Sequence, residues 1–367
     1  DISARVFPVP LIGTCIILLE KCTDKKERAD NQTVFMYADI AETETFKVDE
    51  ILEVIEKPEK YEERYIIRAI RQKEIPEDQK WINLLFDAET ILSKIYKKSI
   101  ELNELFEPSR GNSFWSIWSI KHGKRPDLGA NEFFYLDESR VQQYDLVDYV
   151  HPALVSARYA KWFNFTRQDW ERIKKKGSRC YVFMCHMPKN KVPENVLEYI
   201  KWGETECHTT IRGTRGGGKL CNQAVSCQVR EKEKEHFFGW YDLGGLQKVA
   251  FFVPYYARYG HRFSLLSFQV MLDADFIAFL PKTDFKESEI KALLAFLNSS
   301  FSRLYIEIKG RVPGGLGPIA LEAGQIRNIP ILDVKNFKRK DLDVLASLFD
   351  ELEAEARKLG GADTLEN

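Results

Sequence analysis

The sequence predicts an α+β protein in which strands and helices are largely segregated along the chain. The first forty residues contain two apolar runs separated by a charged stretch, which is the pattern of a β-hairpin. Short aromatic-rich segments broken by Gly and Pro then run from position 101 to about 332, and long helical stripes occupy the C-terminal part. At 367 residues the chain is long enough for two domains, or for one large domain with an appendage.

The N-terminal hairpin is predicted from three consecutive segments. "TCIILLEK" has the composition of a buried strand, "CTDKKERADNQ" that of a charged loop and "TVFMYADI" that of the returning strand. Because a two-stranded ribbon cannot bury a core alone, we expect it to form the edge of a larger domain, within which the chain starts. Helical spacing at 48–57 and 88–99, with the strand "RYIIRAIRQ" between them, continues this part of the chain.

The middle of the chain is predicted to be rich in strands, and its end to be helical. The candidate strands are "FWSIWSI", "EFFYL", "CYVFMCHM", "GWYDL", "KVAFFVPYY" and "RFSLLSFQV". Pro193 introduces a helix at "ENVLEYIKW". A single apolar stripe, which includes Ile290, Leu297 and Ile308, predicts one long helix over 286–308, and an acidic amphipathic helix is predicted over 340–359.

Composition favours a soluble cytoplasmic protein. No run approaches eighteen consecutive apolar residues, and the N-terminus lacks the basic-then-apolar order of a signal peptide, so we expect no membrane partner. The seven cysteines are an odd number, and those such as Cys15 and Cys180 stand singly among apolar residues. This pattern favours a reducing cytoplasm over a disulfide scaffold.

Charge is segregated along the chain although the formal net charge is only −1. Residues 157–180 carry eight Lys or Arg against two Asp or Glu, whereas 39–63 and the C-terminal helix are acidic. Such a distribution can present one positive face to a polyanion. A solvated helix face is the structural alternative for each charge run.

The segment "HTTIRGTRGGGKLC", residues 208–221, resembles a phosphate-binding P-loop without completing the pattern. Gly213, Gly218 and Lys219 fit G-x-x-x-x-G-K-[ST], but Leu220 stands where a hydroxyl must ligate magnesium. The polar residues before it do not predict the buried strand that such a loop follows. We therefore interpret the segment as a cationic glycine-rich loop.

Other catalytic motifs are equally incomplete. Cys207, Cys221, Cys227 and His236 could form a zinc site, but their spacing lacks the C-x-x-C pairs that are typical of one. "VPGGLGP", at 312–318, contains prolines that prevent it from opening a helix as a dinucleotide-binding motif must. The sequence thus predicts no catalytic, cofactor-binding or metal-ligating residue.

Several basic, glycine-containing loops predict nucleic-acid binding. Cations neutralise phosphates, glycine lets the backbone approach them, and Arg and Asn side chains can read base edges, although an ordinary hairpin turn is the alternative at 121–136. Arg125 and Asn131 are the candidates for base readout, whereas Lys174, Lys175, Arg212, Arg215 and Lys219 are candidates for phosphate contacts. The full set of candidate DNA-binding residues is Lys121, Lys124, Arg125, Asn131, Lys174, Lys175, Arg212, Arg215, Lys219, Arg258, Arg262, Lys309 and Arg311.

The order of the segments resembles that of a known enzyme family. "RVFPVPLIGTCIILLEK" and "NQTVFMYADI" resemble the closing strands of the catalytic domain in adenine-specific DNA methyltransferases of restriction-modification systems that carry a TaqI-like specificity domain. "HGKRPDLGANEFFYL", "LEYIKWGE", "FFGWYDLGG", "LLAFLNSSFSRLYIEIKGR" and "IRNIPIL" resemble the target-recognition region of the same family, in the same order. The likeness extends from Arg5 to about Leu332.

The resemblance implies a C-terminal part of such an enzyme. The family's glycine motif for S-adenosylmethionine and its Asn/Asp-Pro-Pro-Tyr motif are absent from the sequence. It therefore implies that a catalytic domain upstream in the same polypeptide binds S-adenosylmethionine and methylates the N6 atom of a flipped adenine. This chain would recognise and position double-stranded DNA.

The resemblance also implies the domain organisation. Residues 1–100 would form the end of a Rossmann-like methyltransferase domain with its closing β-hairpin, 101–335 a β-rich target-recognition domain with long helices, and 336–367 a C-terminal amphipathic helix. Two alternatives come from other functional classes. One is a self-contained metal- or nucleotide-dependent hydrolase that uses the loop at 213–219 or the Cys/His group, and the other is a protein-interaction module that uses the acidic C-terminal helix.

Overall fold

A computed structural model of the chain describes residues 17–38, 65–77, 81–85, 88–111, 130–210, 217–257, 260–310 and 319–360, with the isolated positions 49, 52 and 53. These residues divide into two compact units. Unit 1 takes the described parts of Asp1–Ile100, Tyr256–Gly260 and Ser300–Gln325. Unit 2 takes those of Glu101–Tyr255, His261–Ser299 and Ile326–Asn367.

Helices and strands are both present in each unit. The α-helices are α1 (Lys25–Asp30), α2 (Ile82–Leu85), α3 (Ala88–Tyr96), α4 (Leu102–Leu105), α5 (Asn131–Phe134), α6 (Glu138–Gln143), α7 (Arg167–Lys175), α8 (Glu194–Thr205), α9 (Val225–Lys232), α10 (Glu287–Leu297), α11 (Ser300–Lys309), α12 (Ala323–Ile326) and α13 (Arg339–Lys358). The strands are β1 (Gln32–Ala38), β2 (Tyr65–Arg71), β3 (Ile100–Glu101), β4 (Phe106–Arg110), β5 (Tyr135–Leu136), β6 (Val150–Leu154), β7 (Asn164–Phe165), β8 (Tyr181–Phe183), β9 (His208–Thr210), β10 (Gly217–Leu220), β11 (Phe251–Pro254), β12 (Tyr256–Ala257), β13 (Ser264–Leu266), β14 (Met271–Leu272), β15 (Phe276–Pro281), β16 (Ile319–Ala320) and β17 (Pro330–Ile331).

Unit 1 contains a hairpin-like ribbon, but its partner strands differ from the predicted ones. β1 pairs antiparallel with β2, from Gln32 opposite Arg71 to Ala38 opposite Tyr65. The described part of "TCIILLEK", 17–21, is not a strand, and Leu18 and Leu19 are 83% and 89% exposed. The prediction of a hairpin between these two apolar runs is therefore wrong for the described residues, and positions 14–16 lie outside them.

The charged segment between those runs was predicted as a loop and instead contains α1. Asp24 caps this helix, since its Oδ1 atom accepts hydrogen bonds from the Lys26 and Glu27 amides at 2.8 and 3.0 Å. A capping side chain satisfies amides that a short helix would otherwise leave unpaired, and loop composition did not reveal it. The predicted strand "RYIIRAIRQ" is confirmed as β2 and the predicted helix at 88–99 as α3, whereas most of 48–57 lies outside the described residues.

Unit 2 is built on two sheets. The larger has the strand order β4-β15-β11-β13-β7 and the smaller the order β14-β6-β8-β5. Neighbouring strands are antiparallel except β13 with β7 and β14 with β6, which are parallel. Of the predicted strands, "CYVFMCHM", "KVAFFVPYY" and "RFSLLSFQV" each contain an observed strand, "EFFYL" begins with the helical turn α5, "GWYDL" is a loop, and "FWSIWSI" lies outside the described residues.

The strands at the centre of unit 2 are buried along their whole length. Every residue of β8, β11 and β13 is buried, which explains why their sequences are continuous apolar runs without alternation. Phe251 of β11 lies opposite Phe279 of β15, and their rings stack with centroids 4.4 Å apart. These aromatic pairs make the sheets a rigid base for the loops and helices around them.

The stripe predicted as one helix over 286–308 is two helices. α10 ends at Leu297, and α11, which belongs to unit 1, begins at Ser300. Asn298 causes the interruption: its Nδ2 atom donates to the carbonyls of Phe263 and Leu294 at 2.9 and 2.8 Å, and its Oδ1 atom accepts from the Phe263 amide at 3.0 Å. Apolar periodicity continues across this break, so it could not reveal where the backbone changes course.

The C-terminal helix α13 clusters with unit 2 and is fastened to α7. Arg357 donates from both terminal nitrogens to Asp169, at 3.0 and 2.9 Å. Glu353 Oε2 accepts from the amides of Phe163 and Asn164, at 2.7 and 3.1 Å. Because Asp169 is 4% exposed, this ion pair fixes the start of α7 against the end of α13.

One disulfide departs from the expectation that the cysteines are unpaired thiols. Cys207 and Cys221 form a disulfide with Cα atoms 5.5 Å apart, which lies within the usual range. The antiparallel ribbon of β9 and β10 brings them together, and the Cys221 amide donates to the Cys207 carbonyl at 2.7 Å. Cys22, Cys180, Cys185 and Cys227 are free.

None of the helices in the part of the chain that the structure describes has the length and apolar character needed to cross a membrane.

The N-terminus of α7 is capped by side chains. Thr166 and Asp169 form a capping box in which Asp169 Oδ2 accepts from the Thr166 amide and hydroxyl at 2.9 and 2.7 Å. We expect Thr166→Ala to lower the free energy of unfolding by about 1 kcal/mol, the usual effect of losing a capping side chain. Urea denaturation measures this change. Thr166→Ser, which keeps the hydroxyl, should restore most of the stability; equal losses in both variants would contradict the capping role.

Candidate nucleic-acid interface

The basic helix α7 is held by one buried face and exposes the other. Asp169, Trp170 and Ile173 are buried, and the Trp170 Nε1 atom donates to the Cys180 carbonyl at 2.7 Å. The helix ends in front of Gly177, whose φ of 65° is left-handed and therefore suits glycine at this position. These contacts fix the direction in which the exposed side chains of the helix point.

Four cations gather at the C-terminal end of α7, and we call Arg158, Arg172, Lys175 and Lys176 the basic corner. All four are exposed, although Arg172 Nη1 also contacts Asp169 Oδ1 at 3.1 Å. Arg158 comes from a separate segment: its Nη2 atom donates to Tyr159 Oη at 2.6 Å, and Tyr159 Oη donates to Ser178 Oγ at 2.9 Å. This chain of hydrogen bonds sets Arg158 beside the turn that follows the helix. Exposed cations from two segments on one side of a domain are typical of a phosphate-binding surface.

The helix dipole offers a structural explanation for part of this charge. Cations in the last turn of a helix stabilise it by about 0.3–1 kcal/mol each. That effect explains the cations on α7 itself. It does not explain Arg158, which lies on a separate segment. Lys175 and Lys176 also form no ion pair with the described residues, so their charges remain available to an anionic ligand.

Lys174, a predicted phosphate contact, has partners within the protein. Its Nζ atom lies 3.0 Å from Glu138 Oε2, and the same carboxylate oxygen accepts from Tyr181 Oη at 2.6 Å. The hydrogen bonds with Tyr181 and Glu138 raise the pKa of Lys174, and burial raises the pKa of Tyr181 to about 12. Lys174 therefore stays charged, but its contact with Glu138 limits its availability for a phosphate.

A second element of the candidate interface is the ribbon of β9 and β10. His208 pairs with Leu220 and Thr210 with Gly217, with an irregular register between them. Gly218 and Lys219 thus lie on a strand, whereas a P-loop lysine stands at the N-terminus of a helix. Lys219 is exposed, whereas Arg212 and Arg215 lie outside the described residues.

The helical turn α5 contacts both the ribbon and Arg179, which follows α7. It packs against β9, and its Glu132 pairs with Arg179 Nη2 at 2.5 Å, just beyond the turn that ends α7. The described chain also resumes at Ala130, directly after the segment that contains Lys121, Lys124 and Arg125. The attachment points of both predicted DNA-binding loops are therefore neighbours on unit 2.

The remaining predicted residues occupy different settings. Asn131, on α5, has a buried Oδ1 atom without a hydrogen-bond partner among the described residues. Arg262 is 8% exposed and donates to the Ala160 carbonyl, so it lacks the exposure that a phosphate contact needs. Lys309 belongs to unit 1, at the end of α11. Arg258 and Arg311 lie outside the described residues.

The proposed zinc ligands form no metal site in the described part of the chain. Cys207 and Cys221 are bonded to each other, Cys227 is fully buried with Arg230 Nη2 3.4 Å from its sulfur, and His236 is exposed. Burial raises the pKa of Cys227, which opposes formation of the thiolate that a metal would need. No group of three or more His, Cys, Asp or Glu side chains among the described residues could hold a metal ion.

Sequence reasoning noted the basic run at 157–180 but assigned only Lys174 and Lys175 from it. Arg158, Arg172 and Lys176 belong to the same run and could have been found from charge density alone. Which lysine is paired, by contrast, depends on Glu138 and Tyr181, and no spacing rule predicts that contact. The structure thus shifts the candidate phosphate contacts within a run that the sequence had identified.

Comparison with known proteins gives a family match. The profile of the family described as the C-terminal domain of type II methyltransferase M.Eco57I matches residues 127–361, which include α5, the ribbon, the basic corner and α13.

Two individual proteins are similar to more than half of the chain. Type II methyltransferase M.AccI from Acinetobacter calcoaceticus is 23% identical over 232 residues, which are 61% of this chain and 37% of that protein. The crystal structure of the type IIG restriction endonuclease BpuSI aligns with a TM-score of 0.44 and 14% identity, over 78% of this chain and 31% of that chain. The chain therefore spans well under half the length of either protein.

Proposed function

Because the chain belongs to the family of the C-terminal domain of type II methyltransferase M.Eco57I, we propose that it recognises double-stranded DNA for a site-specific DNA methyltransferase. The proposal extends to adenine: the chain positions the duplex so that a catalytic domain upstream in the same polypeptide methylates N6 of a flipped adenine in a restriction-modification system. We place this activity in the cytoplasm, where the DNA of a bacterium or archaeon lies.

The basic corner carries this proposal. Its cations come from α7 and from the Arg158 segment, and the buried face of α7 and the Tyr159–Ser178 hydrogen bond hold them on one side of unit 2. Contacts of this kind neutralise phosphates and set the register of a protein on the duplex. The loops attached at Ala130 and Thr210, with Arg125, Arg212 and Arg215, would then read base edges or further phosphates.

The methyl transfer itself is assigned to the upstream domain. S-adenosylmethionine would supply the methyl group there, and we assign none of the described residues to its binding. The contribution of this chain is orientation: flipping a base costs a few kcal/mol, and contacts that hold the flanking duplex help to offset that cost.

A self-contained hydrolase is not favoured. The glycine-rich segment continues as strand β10, and the Cys/His group offers no metal-ligand set among the described residues. Reactivity would require an exposed thiolate or a metal-bound water, and neither is provided by a buried thiol and a disulfide.

Selection from a random duplex pool tests the proposal. We expect repeated binding and amplification of 30-base-pair duplexes with the full chain to enrich one short defined sequence. A pool that stays random although binding is measurable would contradict sequence recognition. The parallel selection with single-stranded DNA of the same composition should enrich nothing comparable, because the register contacts are to a double helix.

A further inference from the structure

A cleft of about 330 Å³ opens in unit 2 between α8, α9 and the loop that follows α9. Its volume is at the lower end of the range of small-molecule sites. Glu204, Asn222, Glu231, Phe238 and Trp240 are among the residues that line it. None of them belongs to the basic corner, so this cleft is a separate feature of the domain.

The inner wall of the cleft is rigid and rich in hydrogen-bond acceptors. Trp240 is 5% exposed and donates from Nε1 to Glu204 Oε1 and from its amide to Glu231 Oε2, both at 2.9 Å. Glu204 is also held by Lys189 Nζ at 2.6 Å. The Asn222 Oδ1 atom is buried and has no hydrogen-bond partner among the described residues. A buried amide oxygen that lacks a donor is costly, and a ligand N–H group would satisfy it.

The rim of the cleft carries an aromatic platform. Phe238 is 49% exposed, and its ring lies 4.8 Å from that of His186. Asp242, fully buried, fixes this pair because its Oδ2 atom accepts from the Phe238 amide at 2.9 Å and contacts His186 Nδ1 at 2.8 Å. A large exposed aromatic ring that the protein holds in place is suited to stacking on a flat ligand.

These features match one class of ligand in a DNA-binding domain. An extruded base is recognised by stacking on aromatic side chains and by hydrogen bonds to its pairing edge. Acceptors such as Asn222 Oδ1 and the Glu231 carboxylate favour the exocyclic amino group of adenine or cytosine, because it offers two N–H donors whereas the pairing edge of thymine offers only its N3–H group. An amine-bearing base would therefore stack on Phe238 and donate to the inner wall.

We propose that this cleft binds an unpaired nucleobase that carries an exocyclic amino group. The inference rests on the proposed function, because an extrahelical base must be presented by bound DNA. It adds a second, base-selective contact to the phosphate contacts of the basic corner, and it uses residues of the segment "FFGWYDLGG" that the sequence analysis singled out without assigning a chemical role.

Fluorescence anisotropy with the full chain and three 25-base-pair duplexes tests the proposal: one fully paired, one with a single bulged adenine and one with a bulged thymine. We expect the adenine bulge to bind about fivefold more tightly than the paired duplex or more, the factor that corresponds to about 1 kcal/mol of base–aromatic stacking. The thymine bulge should gain less. Equal affinities for all three would overturn the proposal.

Phe238→Ala is expected to bring the ratio of bulged to paired affinity close to one. Because Phe238 is half exposed, the variant should fold, and its melting temperature checks this. Val147→Ala is the matched control, since Val147 is 67% exposed and does not line the cleft; its ratio should equal that of the unchanged chain. A Phe238→Ala chain that keeps the full preference would overturn the role of the ring.

An NMR experiment with free nucleotides and no duplex tests the cleft independently of the proposed function. Adenosine monophosphate should show saturation transfer from the chain in NMR, weaker in Phe238→Ala, and uridine monophosphate should show much less. If no duplex binds but the adenine nucleotide does, the proposed function fails and the cleft assignment stands. If duplexes bind while both nucleotides give equal signals or none, the cleft assignment fails alone.

Discussion

Replacing both Lys175 and Lys176 with Glu is expected to weaken duplex binding at least about tenfold at 0.1 M salt, because like charges brought together at an interface cost several kcal/mol. Both lysines are exposed on the basic corner and form no ion pair with the described residues. The loss of two phosphate contacts should also make the log-log salt dependence shallower by about 1.8. Fluorescence anisotropy at several salt concentrations measures both changes.

A matched charge reversal distinguishes a local interface from a general effect of net charge. Lys338 and Lys340 are exposed at the start of α13, and Lys340 lies about 25 Å along the helix axis from Arg357, by a rise of about 1.5 Å per residue. Lys338→Glu with Lys340→Glu changes the net charge of the chain equally but should lower affinity much less. Equal losses in both double variants would contradict the assignment of the basic corner.

Arg357→Ala is expected to destabilise unit 2 by about 3 kcal/mol. The substitution leaves the buried Asp169 carboxylate without the guanidinium that now contacts both of its oxygens. Removing one partner of a buried ion pair costs about 3–5 kcal/mol, and the lower figure applies because the Arg357 side chain is 29% exposed and Arg172 Nη1 remains 3.1 Å from Asp169 Oδ1. Denaturant unfolding measures the change. Arg339→Ala, on the same helix but 95% exposed, should change stability by less than about 0.5 kcal/mol.

The same ion pair predicts a pH dependence. Burial alone would raise the pKa of Asp169, but hydrogen bonds from Arg357 and Thr166 outweigh it, and the pKa is lowered. A carboxyl whose pKa is lower in the folded protein contributes stability above its unfolded value, near 3.9, and loses it as pH falls through the folded value.

The difference in unfolding free energy between the unchanged chain and Arg357→Ala should therefore have its maximum value above about pH 5 and decrease below about pH 4. Burial raises the pKa of Glu353, which also pairs with Arg357, so its own contribution to this difference is lost at higher pH than that of Asp169. A difference that stays constant from pH 7 to pH 3 would contradict the role of the Asp169 charge.

The sequence predicted the parts of the fold that apolar patterning determines locally. β1, β2, α3, α8 and α13 lie where alternation or helical spacing placed them. The errors arose where side chains redirect the backbone: Asp24 caps a helix inside a charged loop, and Asn298 ends α10 by bonding to Phe263. A hydrogen bond to a residue distant in sequence leaves no periodic trace, so patterning cannot find it.

The candidate site was also predicted only where local sequence determines it. Charge density identified the run at 157–180, but only the folded structure shows that Glu138 pairs with Lys174 while Lys175 and Lys176 remain exposed. Arg262 illustrates the opposite error, since a basic residue in a glycine-containing segment proved to be buried against the Ala160 carbonyl. The cleft at Trp240 depends on contacts between segments far apart in the chain, which spacing alone could not assemble.

The salt dependence of duplex binding tests the central claim, which is that unit 2 binds a double helix through the basic corner. The affinity of the full chain for a 30-base-pair duplex, measured from 50 to 300 mM potassium chloride, should fall with a log-log slope at least as steep as about −2.7, which is 0.9 for each of the three corner cations other than Arg172, whose guanidinium is paired with Asp169. A slope near zero, or no binding even at the lowest salt concentration, would contradict the claim.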